Sequence, residues 1–208
     1  MTIFYLAVLL GLAYFAILPR PESHFRTVAK TLPIILLCVF AALSGAWWLV
    51  VVALGLSAVG DALISRSGEL AFKLGLQVFL TVLLIYAAIF YLYGDLDILM
   101  AGPWRWLAAV ALFVFSAILL RILWKPTGPL APAIASYIAA MLVMGLMSLT
   151  MPSPLVFIGA AAFLISDALI ALESFLLKDE GQKKIASYAV WVFYFFAQCI
   201  LTLSLVSL

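Results

Sequence analysis

TLPIILLCVFAALSGAWWLVVVALGLSAVGDALI, residues 31–64, decides how this chain is built. The run is apolar from end to end, and its one charge is Asp61. A helix crossing the hydrocarbon core of a bilayer needs about 20 such residues, so the run is too long for one span and long enough for two. Ser44-Gly45 is its only local break. Read as a turn, the dipeptide separates spans over Thr31–Leu43 and Ala46–Ile64; read as a kink, it leaves one broken helix.

The same reading extends outward along the chain. Further apolar runs lie at Thr2–Leu18, Leu70–Tyr93, Trp104–Leu123, Leu130–Thr150, Leu155–Leu177 and Ile185–Leu208. Pro19 and Pro21, Gly94, Gly102-Pro103, Pro126 to Pro129, Pro152 with Pro154, and Gly181 mark the breaks between them. Eight runs therefore predict eight spans in a single domain, 1–208, and the broken-helix reading predicts seven. Charge placement favours eight. Arg20, Arg26 and Lys30 follow the first run, Arg66 and Lys73 the third, Arg121 and Lys125 the fifth, and Lys178, Lys183 and Lys184 the seventh. Of the 11 basic residues only Arg105 falls on an even-numbered loop, with Asp95 and Asp97 nearby. Basic residues concentrate on cytoplasmic loops, so the odd loops are expected inside and both termini outside.

Composition agrees. Of the residues 68% are hydrophobic and 10% charged, and mean hydropathy is +1.31, whereas a soluble domain is about a quarter charged. Most of the exterior must face lipid, and a multi-pass protein of a bacterial inner (plasma) membrane is expected. The first apolar run lacks a preceding positive charge, Arg20 coming after it; it reads as a retained span rather than a cleaved leader. A net charge of +2 offers no basic surface for nucleic acid. Cys38 and Cys199 lie singly in apolar runs and His24 stands alone in a charged loop, so neither a metal nor a redox site is expected. No G-x-S-x-G, H-E-x-x-H or P-loop pattern occurs.

The chemistry must come from two acids in lipid. Gly60-Asp61-Ala62-Leu63-Ile64 recurs as Ser166-Asp167-Ala168-Leu169-Ile170 four spans later, either by chance or as the trace of a parallel 4+4 repeat. The aspartates lie about 15 and about 12 residues into spans of the same direction, at depths within roughly 5 Å of each other, which would let them share a site. Burial disfavours the ionised form of a carboxyl, and a second carboxylate nearby disfavours it further. One acid holding a proton beside one ionised acid suits cleavage through an oxocarbenium ion. It suits a proton-coupled transporter equally well, and a buried polar contact that only fixes packing is a third reading.

Around them Ser57, Tyr86, Tyr137, Ser166, Tyr194 and Gln198 are candidate cavity-lining groups, each also readable as an interhelical hydrogen bond. Glu173, six residues after Asp167, turns to a different face and is interfacial or functional. Lys30, placed just before the second span, reads as a ligand for a lipid phosphate or as a snorkelling loop lysine.

Gly55-Leu56-Ser57-Ala58-Val59-Gly60-Asp61 resembles the Gly-Asp motif of the YhhN family of integral membrane proteins, the lysoplasmalogenases. Phe72, Gly75 and Phe79, continuing to Tyr86, resemble the segment that follows it there. Gly159-Ala160 through Phe163 to Ser166-Asp167 and Phe175 is similar to the second acidic motif, and Tyr188, Tyr194 and Gln198 to the last helix. Lys30 with Pro33 is similar to an early Lys-Pro element, although Thr31-Leu32 intervene here. A histidine often found in the family between positions like Phe79 and Tyr86 is absent, the intervening residues being LTVLLI. That departure either concentrates the proton chemistry on the aspartates or weakens the activity. The resemblance implies hydrolysis of the vinyl ether of a lysoplasmalogen, a lysophospholipid drawn from the bilayer, with Asp61 and Asp167 catalytic and no metal or organic cofactor.

Overall fold

A computed structural model describes residues 1–100 and 102–208, and the described residues contain helices and turns but no strand. The α-helices are α1 (Thr2–Ala13), α2 (His24–Leu43), α3 (Trp48–Ile64), α4 (Glu69–Tyr93), α5 (Pro103–Leu123), α6 (Ala131–Ser148), α7 (Pro154–Phe175) and α8 (Glu180–Leu205). Tight 3-10 turns extend α1 over Tyr14–Ala16 and lead into α6 over Gly128–Leu130. Among the described residues six helices are long and apolar enough to cross a membrane: α2, α4, α5, α6 with its lead-in, α7 and α8. The protein is a multi-pass membrane protein. The apolar helices Thr2–Ala16 and Trp48–Ile64 are shorter. With 17 residues, α3 reaches about 26 Å, a little under the roughly 30 Å hydrocarbon core.

The chain packs as two compact units, Met1–Tyr86 with Gln198–Leu208, and Ala87–Ala197. In the first, α2 lies against both α1 and α3. The rings of Phe4 and Phe40 meet at 5.5 Å, and Ile34, Leu37, Ala41, Val50, Ala53 and Leu54 are fully buried. Helix α2 starts at His24, seven residues before the expected Thr31. Hydropathy excludes the polar first turns, but Ser23 caps them, its Oγ accepting the Arg26 N–H at 3.2 Å, and a helix begins at its cap rather than at its first apolar residue. Lys30 and Pro33 therefore both lie inside α2.

The Ser44-Gly45 break is a true helix end. Gly45 has φ +78°, the Ala46 N–H bonds the Ala41 carbonyl at 3.0 Å, and the Gly45 N–H bonds the Ala42 carbonyl at 3.2 Å. This paired closure needs a left-handed residue, which glycine supplies without strain. Two helical glycines then bring α3 and α4 together. A Cβ on Gly60 would stand 2.8 Å from Phe79 Cε2, and one on Gly75 would stand 2.6 Å from Ile64 Cγ1.

In the second unit α6 lies against α5 and α7, with Gly145 admitting the side chains of Leu112 and Leu164. The outer face of α5 exposes Leu107, Val110, Phe113, Val114 and Ile118, as a lipid-facing helix should. Arg105, expected in a loop, is buried in the first turn of α5. Its Nη1 donates to the carbonyls of Leu149 and, at 3.1 Å, Met151. The guanidinium thus satisfies backbone oxygens just past the end of α6, where no helical N–H is available. Its carbon also stands 4.6 Å from the Trp104 ring.

Candidate functional site

Two polar centres lie in the helices, one in each unit. The first is built on α3, where Asp61 is 1% exposed. Gly60 beside it lets the Phe79 ring close over that turn of the helix. Lys30 reaches in from α2, its Nζ 3.1 Å from Asp61 Oδ1, and the two side chains are 14% and 2% exposed. An ion pair at such depth offsets the cost of a lone charge, which is about 2.5–3.5 kcal/mol for an aspartate at the centre of a span. Lys30, placed just before the second span by the sequence reading, here stands beside Asp61. Because α2 begins early, Lys30 is helical and within reach.

One turn before Asp61, Ser57 belongs to a buried chain of hydrogen bonds. The Tyr86 hydroxyl donates to Gln198 Oε1 at 3.0 Å. Gln198 Nε2 donates to Ser57 Oγ at 2.9 Å, and Ser57 Oγ donates to the Ala53 carbonyl at 2.8 Å. All three side chains are fully buried. The chain links α4, α8 and α3, and it satisfies polar atoms that would otherwise each cost about 1–3 kcal/mol.

The second centre is built on α7. Asp167 is 5% exposed, and the Tyr137 hydroxyl of α6 donates to its Oδ2 at 2.7 Å. Ser166, its neighbour, turns instead to α8 and donates to the Val190 carbonyl at 3.2 Å. Glu173, two turns on, accepts from the Ser187 hydroxyl at 2.8 Å. Tyr194 is 3% exposed and sits in an aromatic cluster, 5.8 Å from Phe163 and 5.9 Å from Trp191.

The structure thus joins Lys30 to Asp61, Tyr137 to Asp167, and Ser57 to Tyr86 through Gln198. Ser166 meets the Val190 carbonyl and Glu173 the Ser187 hydroxyl, and Tyr194 packs with Phe163 and Trp191. The Lys30–Asp61 pair and the Arg105 clamp are what sequence reasoning missed. The one available signal for the pair was Ser23 as a helix cap, which moves Lys30 from the loop into α2.

A family model, that of the YhhN family, matches residues 25–205. The chain belongs to the YhhN family. The family includes lysoplasmalogenases, and the matched region takes in both polar centres. No curated protein and no solved structure matches the chain. Within the YhhN-matched region, the early Lys-Pro element and the Gly-Asp motif meet in space at Lys30 and Asp61. The second acidic motif and α6 meet at Asp167 and Tyr137. Membership in the YhhN family also accounts for the membrane environment and points to a lipid substrate.

Proposed function

We propose that the chain is a lysoplasmalogenase-like hydrolase that cleaves the vinyl ether of a lysoplasmalogen to a fatty aldehyde and a glycerophospho-choline or -ethanolamine. What supports this reading is two buried aspartates in a YhhN-family chain, Asp61 beside the Lys30 ammonium and Asp167 accepting from the Tyr137 hydroxyl. Vinyl ethers open when their β-carbon is protonated. The C=C electron pair forms the new C–H bond, and the ether oxygen shares the resulting charge as an oxocarbenium ion. Water captures that cation and loses a proton. The hemiacetal then collapses, releasing the aldehyde as the glycerol oxygen gains a proton. One carboxyl group that donates and one carboxylate that stabilises positive charge are sufficient for these steps, and none calls for a metal or organic cofactor.

The setting we propose is an eight-span domain with both termini outside and odd loops cytoplasmic, in a bacterial inner membrane. The Thr2–Ala16 helix and α3 serve as its two short spans. A single-chain lipid would enter from the inner leaflet with its alkenyl chain among the apolar helices.

The test is aldehyde release from lysoplasmenylethanolamine by the purified full-length protein. Asp61→Asn and Asp167→Asn should each lower the rate by about 10²–10⁴. Release that survives both substitutions refutes the proposal. Absence of release, together with proton-dependent uptake into vesicles, would favour a transporter built on the same aspartates.

A further inference from the structure

We infer that Arg26 takes the phosphate of the lipid substrate and so holds its head group at the N-terminal end of α2. The inference rests on the hydrolase reading above and adds to it the residue that reads the head group.

Arg26 stands apart from the other cations of its unit. Lys30 Nζ lies 3.1 Å from Asp61 Oδ1, and Lys73 is paired with Glu69. Arg66 Nη2 donates to His24 Nδ1 at 2.7 Å, and the Arg20 guanidinium lies 5.9 Å from the Phe25 ring. Among the described residues Arg26 makes no salt bridge, and its Nε is the one buried side-chain polar atom that lacks a hydrogen-bond partner. A buried donor left unmet costs stability, the more so on a charged group, and native proteins seldom keep one without a reason. A guanidinium presents two parallel N–H groups that match two oxygens of a phosphate. The residue as a whole is half-buried, so an anion arriving at the end of α2 has access to it.

The charges nearby suit an anion. Glu22 feels both Arg66 and Arg26, so the two guanidiniums share one neighbourhood. That glutamate is already engaged, its Oε1 accepting the Ser67 N–H at 2.7 Å. Two cations beside one engaged carboxylate leave the spot positive.

Depth favours a lipid as the source of the phosphate. Arg26 and Lys30 lie on one stripe of α2, four residues or about 6 Å apart along the axis. Glycerol sets the phosphorus and the ether oxygen of a lysophospholipid a similar distance apart. A phosphate on Arg26 therefore leaves the ether bond level with Lys30 and Asp61, one turn further along α2. Free phosphate would fit the guanidinium but has no use for that register.

The test uses the full-length protein and a non-cleavable probe, an alkyl lysophosphatidylethanolamine whose saturated ether replaces the vinyl ether. Arg26→Met is expected to weaken its binding by about 10- to 100-fold, while a phosphate-free alkylglycerol binds both proteins equally. Arg26→Lys should recover part of the loss, keeping the charge without the fork. Without lipid, the Tm of Arg26→Met should be unchanged or higher, because its Nε has no partner to lose. A lower Tm, or failure to fold, makes Arg26 structural and overturns the inference. Equal weakening for both lipids, or for neither, overturns it too. Displacement of the probe by inorganic phosphate at a comparable concentration assigns the site to the free anion and overturns the lipid assignment. Turnover is read separately: on lysoplasmenylethanolamine, Arg26→Met should raise KM by the same factor and leave kcat within about threefold. A wild type that binds the probe as stated yet releases no aldehyde refutes the hydrolase reading and leaves the phosphate site standing.

Discussion

Gly60→Ala is the substitution whose outcome follows most directly from the packing. The new Cβ would meet Phe79 at 2.8, 3.0 and 3.1 Å from three ring carbons, where carbon atoms are in favourable contact at about 3.5–4.0 Å. Phe79 is 3% exposed, so its ring has little room to retreat, and α3 and α4 must separate. Overpacking of this kind costs about 1–3 kcal/mol. Gly55→Ala, one and a half turns earlier on the same helix, is the matched control. Its Cβ would meet nothing nearer than Cys38 Sγ at 3.9 Å. Both substitutions gain the same helix propensity, up to about 1 kcal/mol, so that term cancels in the difference. For a chain of this size 1 kcal/mol corresponds to roughly 2–4 °C in Tm. Gly60→Ala should therefore melt about 2–12 °C below Gly55→Ala, read by circular dichroism or by size exclusion after heating in detergent. Equal melting of the two variants would refute the close approach of Phe79 to Gly60. Asp61 directly follows Gly60, so the same displacement should also slow aldehyde release.

Arg105→Met should destabilise the protein by about 1.5–3 kcal/mol, because the carbonyls of Leu149 and Met151 lose a charged donor; a thermal melt checks it, and an unchanged Tm would count against the clamp. Outside the membrane, Glu22 sits below the ordinary glutamate range, chiefly because it accepts the backbone N–H of Ser67, with Arg66 and Arg26 adding to the effect. The folded state thus binds its proton less readily than the unfolded state, so the tie from Glu22 to Ser67 is fully present above the unfolded value and is lost as pH falls through the lower, folded one. The Ser67 amide shift followed by NMR should titrate with a midpoint below about 4.3, and Glu22→Gln should abolish that transition.

The helices were legible because the chain punctuates itself. Gly102-Pro103 places Pro103 at the first turn of α5 and Pro154 opens α7, positions where the missing N–H has no helical partner to lose. Gly45 ends α2 for the complementary reason. Depth was legible too, since an aspartate embedded in an apolar run is buried almost by definition, and both are. Partners were not. Lys30 and Asp61 lie on different helices, and so do Tyr137 and Asp167, so no spacing rule connects them; only the rotation of each helix about its axis brings them into register. Hydropathy also moved Lys30 to the wrong side of a boundary, because it measures where apolar residues start and not where Ser23 begins the helix. Arg105 was misread for a related cause. A lone arginine between two tryptophans has the composition of a membrane interface, and its carbonyl partners lie more than forty residues downstream.

The turn at Gly45 has a consequence for how the protein is made. With only four residues between Leu43 and Trp48, α2 and α3 leave the ribosome as immediate neighbours and fold back as a hairpin. Lys30 near the start of one arm and Asp61 near the end of the other then meet across it. Two charges that would each oppose entry into lipid enter as a neutral pair. A nascent chain halted after α2 carries the lysine without its acid.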